Sequence, residues 1–214
     1  MYNPRPFEET RTEVLHALMA QHPLAAVVVH TADGLVADHV PLLLRTSDQG
    51  DTTLVGHVAR ANPLWQPDAD GALRQVLAIF QGPGCYISPN WYPTKADGGK
   101  VVPTWNYAVV HASGPLRAVH DADWKLALLN QLTQTHESAQ PHPWGVGDAP
   151  ADYIERLMSA IVGIEIPVVR LQGKWKVSQN QPEVNQQGVL AGLKAAGGSD
   201  QLAVATCVEQ AKCL

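Results

Sequence analysis

The chain is poor in several things at once, and each shortage excludes a class. Its 214 residues include three cysteines, Cys85, Cys207 and Cys213, an odd number with no repeated pair. Zinc sites need four closely grouped nitrogen or sulfur ligands, so a structural zinc centre is not expected, and free thiols in a reducing compartment fit better. Charged residues make up 16% of the chain, with 15 Lys plus Arg against 20 Asp plus Glu, and no run of basic residues. Displacing counterions from nucleic acid needs clustered cations, so direct DNA binding is not expected. No apolar run approaches the roughly 20 residues that span a bilayer. The opening MYNPRPFEET lacks the basic-then-apolar layout of a signal peptide, and a cytoplasmic protein is the expectation. No H-E-x-x-H zinc spacing and no G-x-S-x-G elbow occurs among the histidines and serines.

What is present is a large apolar fraction, 45%, enough for a sizeable core. Residues 8–21 put Val14, Leu15, Leu18 and Met19 on one helical face, and His22-Pro23 ends the helix. LAAVVVH (24–30), LVADHVPLLLR (35–45) and TTLVGHV (52–58) read as three strands joined by short turns, the pattern of an antiparallel sheet or barrel. RQVLAIFQG (74–82) is a further strand ending in Gly-Pro-Gly, and residues 86–104 are mostly loop. WNYAVVHASGPLRAVH (105–120) is a strand with an inner Gly-Pro break. DADWKLALLNQLTQTHE is amphipathic and opens a helical insertion over about 121–160. IVGIEIPVVRLQGKWKVS (161–178) returns to strand. The division expected is a β-rich domain over 1–180 and a C-terminal helical extension over 181–214: a polar linker with a short helix, then a final helix near 199–212.

Four stretches carry polar side chains in patterns that need explaining. GHVARANP (56–63) brings His57, Arg60 and Asn62 together at a strand end. Arginine suits bidentate phosphate contact, while Asn62-Pro63 equally suits a helix cap and first-turn residue. FQGPGCYISPNWY (80–92) holds Gln81, Ser88 and Trp91 around flexible glycines, as a turn or as a donor loop. GKWKVSQN (173–180) alternates Lys174 and Lys176 with Trp175, either on a solvated edge that discourages strand pairing or facing a ligand, with Gln179 following. VVPTWNY (101–107) places Thr104, Trp105, Asn106 and Tyr107 side by side. They either cap a barrel end or line a pocket for something flat and polar-edged. Alternation sets Trp105 and Tyr107 on one face and Asn106 on the other.

Taken in order, MYNPRPF, DHVPLLL, GHVARANP, FQGPGCYISPNWY, VPTWNY with AVVHASG, and IVGIEI followed by GKWKVSQN resemble the PaiB family, described as FMN-binding negative transcriptional regulators. The resemblance implies an α+β, mainly β architecture: an FMN-binding split β-barrel, antiparallel and Greek-key-like, with peripheral helices, related to pyridoxamine-phosphate oxidase. It implies a homodimer with a flavin site at each end of the subunit interface. On such a site His57, Arg60 and Asn62 are expected at the phosphate and ribityl end. Trp105 is expected to cover the ring, and Thr104 and Asn106 to meet its edge. Gln81, Ser88 and Trp91 are further candidates, and Lys174 and Gln179 are expected to reach in from the last strand. An FMN-binding homodimer of this type, either a flavin-dependent oxidoreductase or a flavin-linked transcriptional regulator, is the leading expectation. The alternatives are a direct DNA-binding repressor and a binder of another planar cofactor such as haem, with His39, His57 or His111 as axial candidates.

Overall fold

The computed structural model describes residues 1–68 and 70–211; Cys213 and the last residue of the expected final helix lie outside them. In chain order the elements are β1 (Glu8–Glu9), α1 (Thr12–Gln21), β2 (Leu24–Thr31), β3 (Gly34–Pro41), β4 (Leu43–Thr46) and β5 (Thr52–Ala59). Then come β6 (Gln75–Ile87), β7 (Thr104–Pro115), β8 (Arg117–Val119), α2 (Ala122–Glu137) and α3 (Ala151–Ser159). β9 (Ile161–Pro167), β10 (Arg170–Lys176), α4 (Glu183–Ala196) and α5 (Ser199–Ala211) complete the chain. They form two compact units. One comprises Met1–His22, Phe80–His111 and the chain from Gln172 onward; the other comprises Pro23–Ile79 and Ala112–Leu171. The C-terminal helices therefore belong to the same unit as α1.

In the second unit, strand pairing follows from where proline falls. The run 35–45, expected as one strand, is two: β3 ends at Pro41, and β4 begins after Leu42. The run 105–120 breaks after Pro115 and the run 161–178 after Pro167. Proline has no N–H for the ladder, and after each one the chain passes to another set of partners. Leu42 N bonds to Pro23 O and Leu116 N to Arg74 O. Val168 N bonds to Thr52 O, whereas Val169 N bonds to Ser113 O, so adjacent residues serve different strands. The result is one sheet in the order β4-β5-β9-β8, while β3, β2 and the first half of β6 pair in a second. The corners close because two glycines sit where strands approach. A Cβ on Gly114 would lie 1.9 Å from Pro167 O, and one on Gly56 would lie 2.7 Å from Pro41 O.

Helix α2 covers one face of the four-stranded sheet. Leu128 is fully buried against Leu43 and Val55, with Trp124 and Leu132 beside it. The ring of Trp124 occupies the place of the missing Gly163 side chain, where a Cβ would come within 2.3 Å of Cζ3. Asp121 starts the helix by accepting Trp124 N at 2.7 Å.

In the first unit the neighbours run β1-β10-β7-β6. Leu15, Leu18 and Met19 of α1 are buried as the periodicity requires, but the helix starts at Thr12. Glu8 and Glu9 instead pair with Lys174 and Gly173 of β10. The Glu9 carboxylate is buried, which by itself would raise its pKa, but Arg11 donates to it through N, Nε and Nη2 at 2.9, 3.0 and 2.6 Å and holds it below the ordinary range. β6 runs on through Gly82-Pro83-Gly84 to Ile87, so this stretch is strand and not a turn. The short helix expected within a polar linker is the 14-residue α4, which begins at Glu183.

Gly114→Ala should cost about 3 kcal/mol in a urea melt, because the new methyl meets an immovable carbonyl. Gly147→Ala, with nothing within 4 Å of the added Cβ, should stay close to the parent.

Candidate functional site

The residues expected to bind a cofactor fall into two groups, one in each unit. The group on β5 and the turn after it belongs to the unit built on the four-stranded sheet. His57 pairs in register with Gly163, on the face that α2 covers. Its Nδ1 is buried and has no hydrogen-bond partner among the described residues. Burial lowers the His57 pKa below the ordinary value, so the neutral imidazole is the form that folds. Arg60 donates from Nε to Ser159 O at 2.7 Å and from Nη2 to Ile161 O at 3.3 Å. Lys125, only 5% exposed, donates to Met158 O at 2.8 Å. Two cations thus close the C-terminus of α3, where carbonyls lack partners and the helix dipole is negative. Asn62 accepts Leu64 N at 2.8 Å and caps a single 3-10 turn, and its amide donates to Asp38 at 3.0 Å. The capping reading of Asn62-Pro63 is the one the structure shows. The second Nη of the exposed Arg60 makes no hydrogen bond among the described residues.

The other group surrounds the ends of β7 and β10. Trp105 is 58% exposed. With Gln81, Tyr107, His22 and the Gly82–Gly84 backbone it lines a groove of about 760 Å³, whose far side is the start of α5. Gln81 is exposed, and its amide donates to Gly82 O at 3.3 Å. Lys176 steadies the rim by donating to the Thr104 hydroxyl and, at 3.0 Å, to Trp105 O. Tyr107 contributes a groove wall, and its ring also lies 5.6 Å from the Lys174 ammonium.

Asn106 points the other way, as alternation requires. It is 1% exposed and donates to Ser178 Oγ at 2.9 Å. Ser178 also bonds the buried phenol of Tyr92, whose pKa burial raises against that bond's opposing effect. Ser178 has φ +67°, a left-handed conformation unusual for a residue with a Cβ. Gln179 fixes the bend by accepting Val177 N at 2.7 Å and donating to Trp175 O. Lys174 is buried rather than on a solvated edge, since β10 runs between β1 and β7. Its ammonium donates to Tyr2 O at 3.0 Å and lies 5.6 Å from the ring of Tyr2.

Ser88 and Trp91 hold the loop after β6. Ser88 caps a 3-10 turn by accepting Asn90 N at 3.2 Å. Trp91 packs on α4, where its carbonyl and ring fill the places of the side chains missing at Gly188 and Gly192. Asn185, 2% exposed, ties the same loop by accepting Thr94 N and Oγ1 at 3.3 and 3.0 Å. The structure therefore puts Gln81 and Trp105 on the groove and Thr104 at its rim. Asn106, Lys174, Gln179, Ser88 and Trp91 hold the surrounding framework. Sequence reasoning missed Tyr92, Ser178, Asn185 and Lys125. The glycines four apart in α4 are a readable sign of close approach, though not of which residue approaches.

The groove offers an exposed indole, the Gln81 amide and main-chain groups, in a volume within the range of small-molecule sites. The solved structure of the FAD and heme binding protein from Mycobacterium smegmatis superposes with a TM-score of 0.55 at 17% identity, covering 89% of this chain and 80% of that one. Its likeness shows the fold, and the fold is that of the split-barrel flavoproteins. The family model described as "Putative FMN-binding domain" matches residues 1–170. The protease synthase and sporulation protein PAI 2 of Bacillus subtilis is 30% identical over 194 residues, 91% of this chain and 89% of that protein. A protein of Aspergillus fumigatus is 32% identical over 253 residues, spanning 98% of this chain and 97% of its own length. The chain belongs to this FMN-binding family, the PaiB family, and is a flavin-binding split-barrel protein. No described helix is long and apolar enough to cross a membrane.

Ser178→Ala should lose about 2 kcal/mol in a denaturant melt, because it strands the Asn106 amide and keeps the left-handed backbone. Ser178→Gly should lose less, since glycine removes the backbone strain. His57 has a lowered pKa in the folded state, so the unfolded chain binds its proton first. Stability should be full above about pH 6.5 and fall as pH drops below it. In a series of melts from pH 8 to 5, His57→Phe should flatten part of that slope.

Proposed function

We propose that the flavin is FMN and that the groove at Trp105 receives its ring. The observation that carries this reading is the indole itself. A 58% exposed tryptophan, held at its own carbonyl by Lys176, faces a groove otherwise walled by Tyr107, Gln81 and glycine backbone. Trp105 covers the ring and Gln81 serves its polar edge. When bound, the flavin supplies hydride or electron transfer, while the protein binds and orients it. Lys176 and Thr104 keep the Trp105 main chain in place.

We further propose a homodimer in the cytoplasm and an oxidoreductase role for the bound flavin. Any part in transcription is indirect on this reading, since the formal net charge is -5 and the basic residues are dispersed. A gel shift on the gene's upstream DNA should show no salt-sensitive complex.

The freshly purified protein should be yellow, with flavin bands in the visible spectrum. Trp105→Ala should weaken FMN retention by about 1 kcal/mol, read by fluorescence titration of the apoprotein. A colourless preparation that leaves added FMN unchanged would sink the proposal. A Soret band in place of flavin bands would transfer it to haem.

A further inference from the structure

At the start of β5, the end remote from Arg60, the four-stranded sheet carries a second polar pocket of about 280 Å³. Its walls include Arg45, Thr46, Asp51, Thr53, Arg117 and Glu165. Seven positions of nearly extended chain separate Thr53 from Arg60, roughly 23 Å, so Arg60 does not reach it. Register explains why these side chains meet. Arg45 stands opposite Thr53, and Glu165 is flanked by Val55 and Arg117, so all lie on the face that α2 partly covers.

The charges in this pocket are fixed but not paired with one another. Arg45 gives both Nε and Nη2 to the neutral Gln131 Oε1, at 2.9 and 2.7 Å, and its guanidinium lies 5.5 Å from the centre of the Trp124 ring. Glu165 accepts the Trp124 indole N–H at 3.2 Å. Among the described residues the ion pairs are Arg11–Glu9, Arg74–Asp68 and Lys194–Glu209, so Arg45, Arg117, Asp51 and Glu165 form none. Two cations and two anions line one small pocket and do not neutralise each other, and uncharged partners hold one of each sign in place.

We infer that this pocket binds a small zwitterion, the carboxylate and ammonium head of an α-amino acid. Arg45 with Arg117 and the Thr53 hydroxyl take the carboxylate, and Glu165 with Asp51 takes the ammonium. A dianion such as phosphate meets two carboxylates, and a simple cation meets two arginines, so only a ligand with both signs gains from all four. The volume, roughly nine times the ~30 Å³ share of one water, admits an amino acid but not a nucleotide. Because Arg45 and Glu165 are held in advance, binding orders few side chains.

The test is calorimetric titration of the intact protein with L-alanine, and separately with sodium acetate, methylammonium chloride and inorganic phosphate. L-Alanine should bind with Kd of about 1 mM or below, and each of the other three at least about tenfold more weakly. Arg45→Gln, Glu165→Gln and the exposed Arg117→Gln should each weaken alanine by about tenfold or more. Thermal melts should show that all three variants are folded. No heat from alanine at about 20 mM, roughly twenty times the expected Kd, would overturn the inference. So would equal affinity for acetate or phosphate, or parental alanine binding in folded Arg45→Gln and Glu165→Gln. The outcome is independent of flavin, because FMN titration and the colour of the protein are read separately.

Discussion

Proline cannot donate to a β-ladder, and three prolines at strand ends decide how this chain turns its corners. After Pro41, Pro115 and Pro167 the next amides find partners on other strands, and each long apolar run becomes two strands. The corners are tight enough that Gly114 and Gly56 have no room for a Cβ. Once β5 lies between β4 and β9, its inward residues meet Leu128 of α2, and its ends are carried to two different polar environments. One end leads into the Arg60 turn, and the other opens on Arg45 and Glu165. The positions of both follow from strand length and register.

The Trp105 groove has a comparable dependence within its own unit. Alternation along β7 turns Trp105 outward and Asn106 inward, and the inward residue is held by Ser178 beyond the end of β10. A left-handed serine is a costly way to turn a chain. It persists because Tyr92 and Asn106 both bond to its hydroxyl and Gln179 clamps the backbone just before it, at Trp175 and Val177. The same bend leads from Lys176, which steadies the Thr104–Trp105 main chain, towards α4. Trp91, seated on Gly188 and Gly192, ties the preceding loop to that helix.

Much of this was legible from periodicity. β2 and β5 lie where alternating β-branched residues place them, α2 follows its apolar stripe, and the division of β7 into outward Trp105 and inward Asn106 is a direct reading of a two-residue period. Three elements were not legible for one shared reason. Gly-Pro-Gly reads as a turn, yet it runs within β6, because its neighbours Leu18, Ala108 and Tyr107 crowd in from elsewhere in the chain. The polar, glycine-bearing stretch after Ser178 reads as a linker with a short helix, yet the helix α4 takes up most of it, because its glycines receive a tryptophan almost a hundred residues earlier. Glu8 and Glu9 read as a first helical turn, yet they pair with β10.

By itself, then, the sequence determined the family, the antiparallel core and the faces of its strands, since these depend on residue order over a few positions. Only the tertiary structure decided which polar side chains stay available. Arg60 divides its guanidinium between helix carbonyls and solvent, Asn106 and Lys174 are buried among partners, and Trp105 is left open. Those outcomes depend on contacts between residues far apart in the chain, where burial and hydrogen bonding settle which donor is spent on the fold and which remains for a ligand.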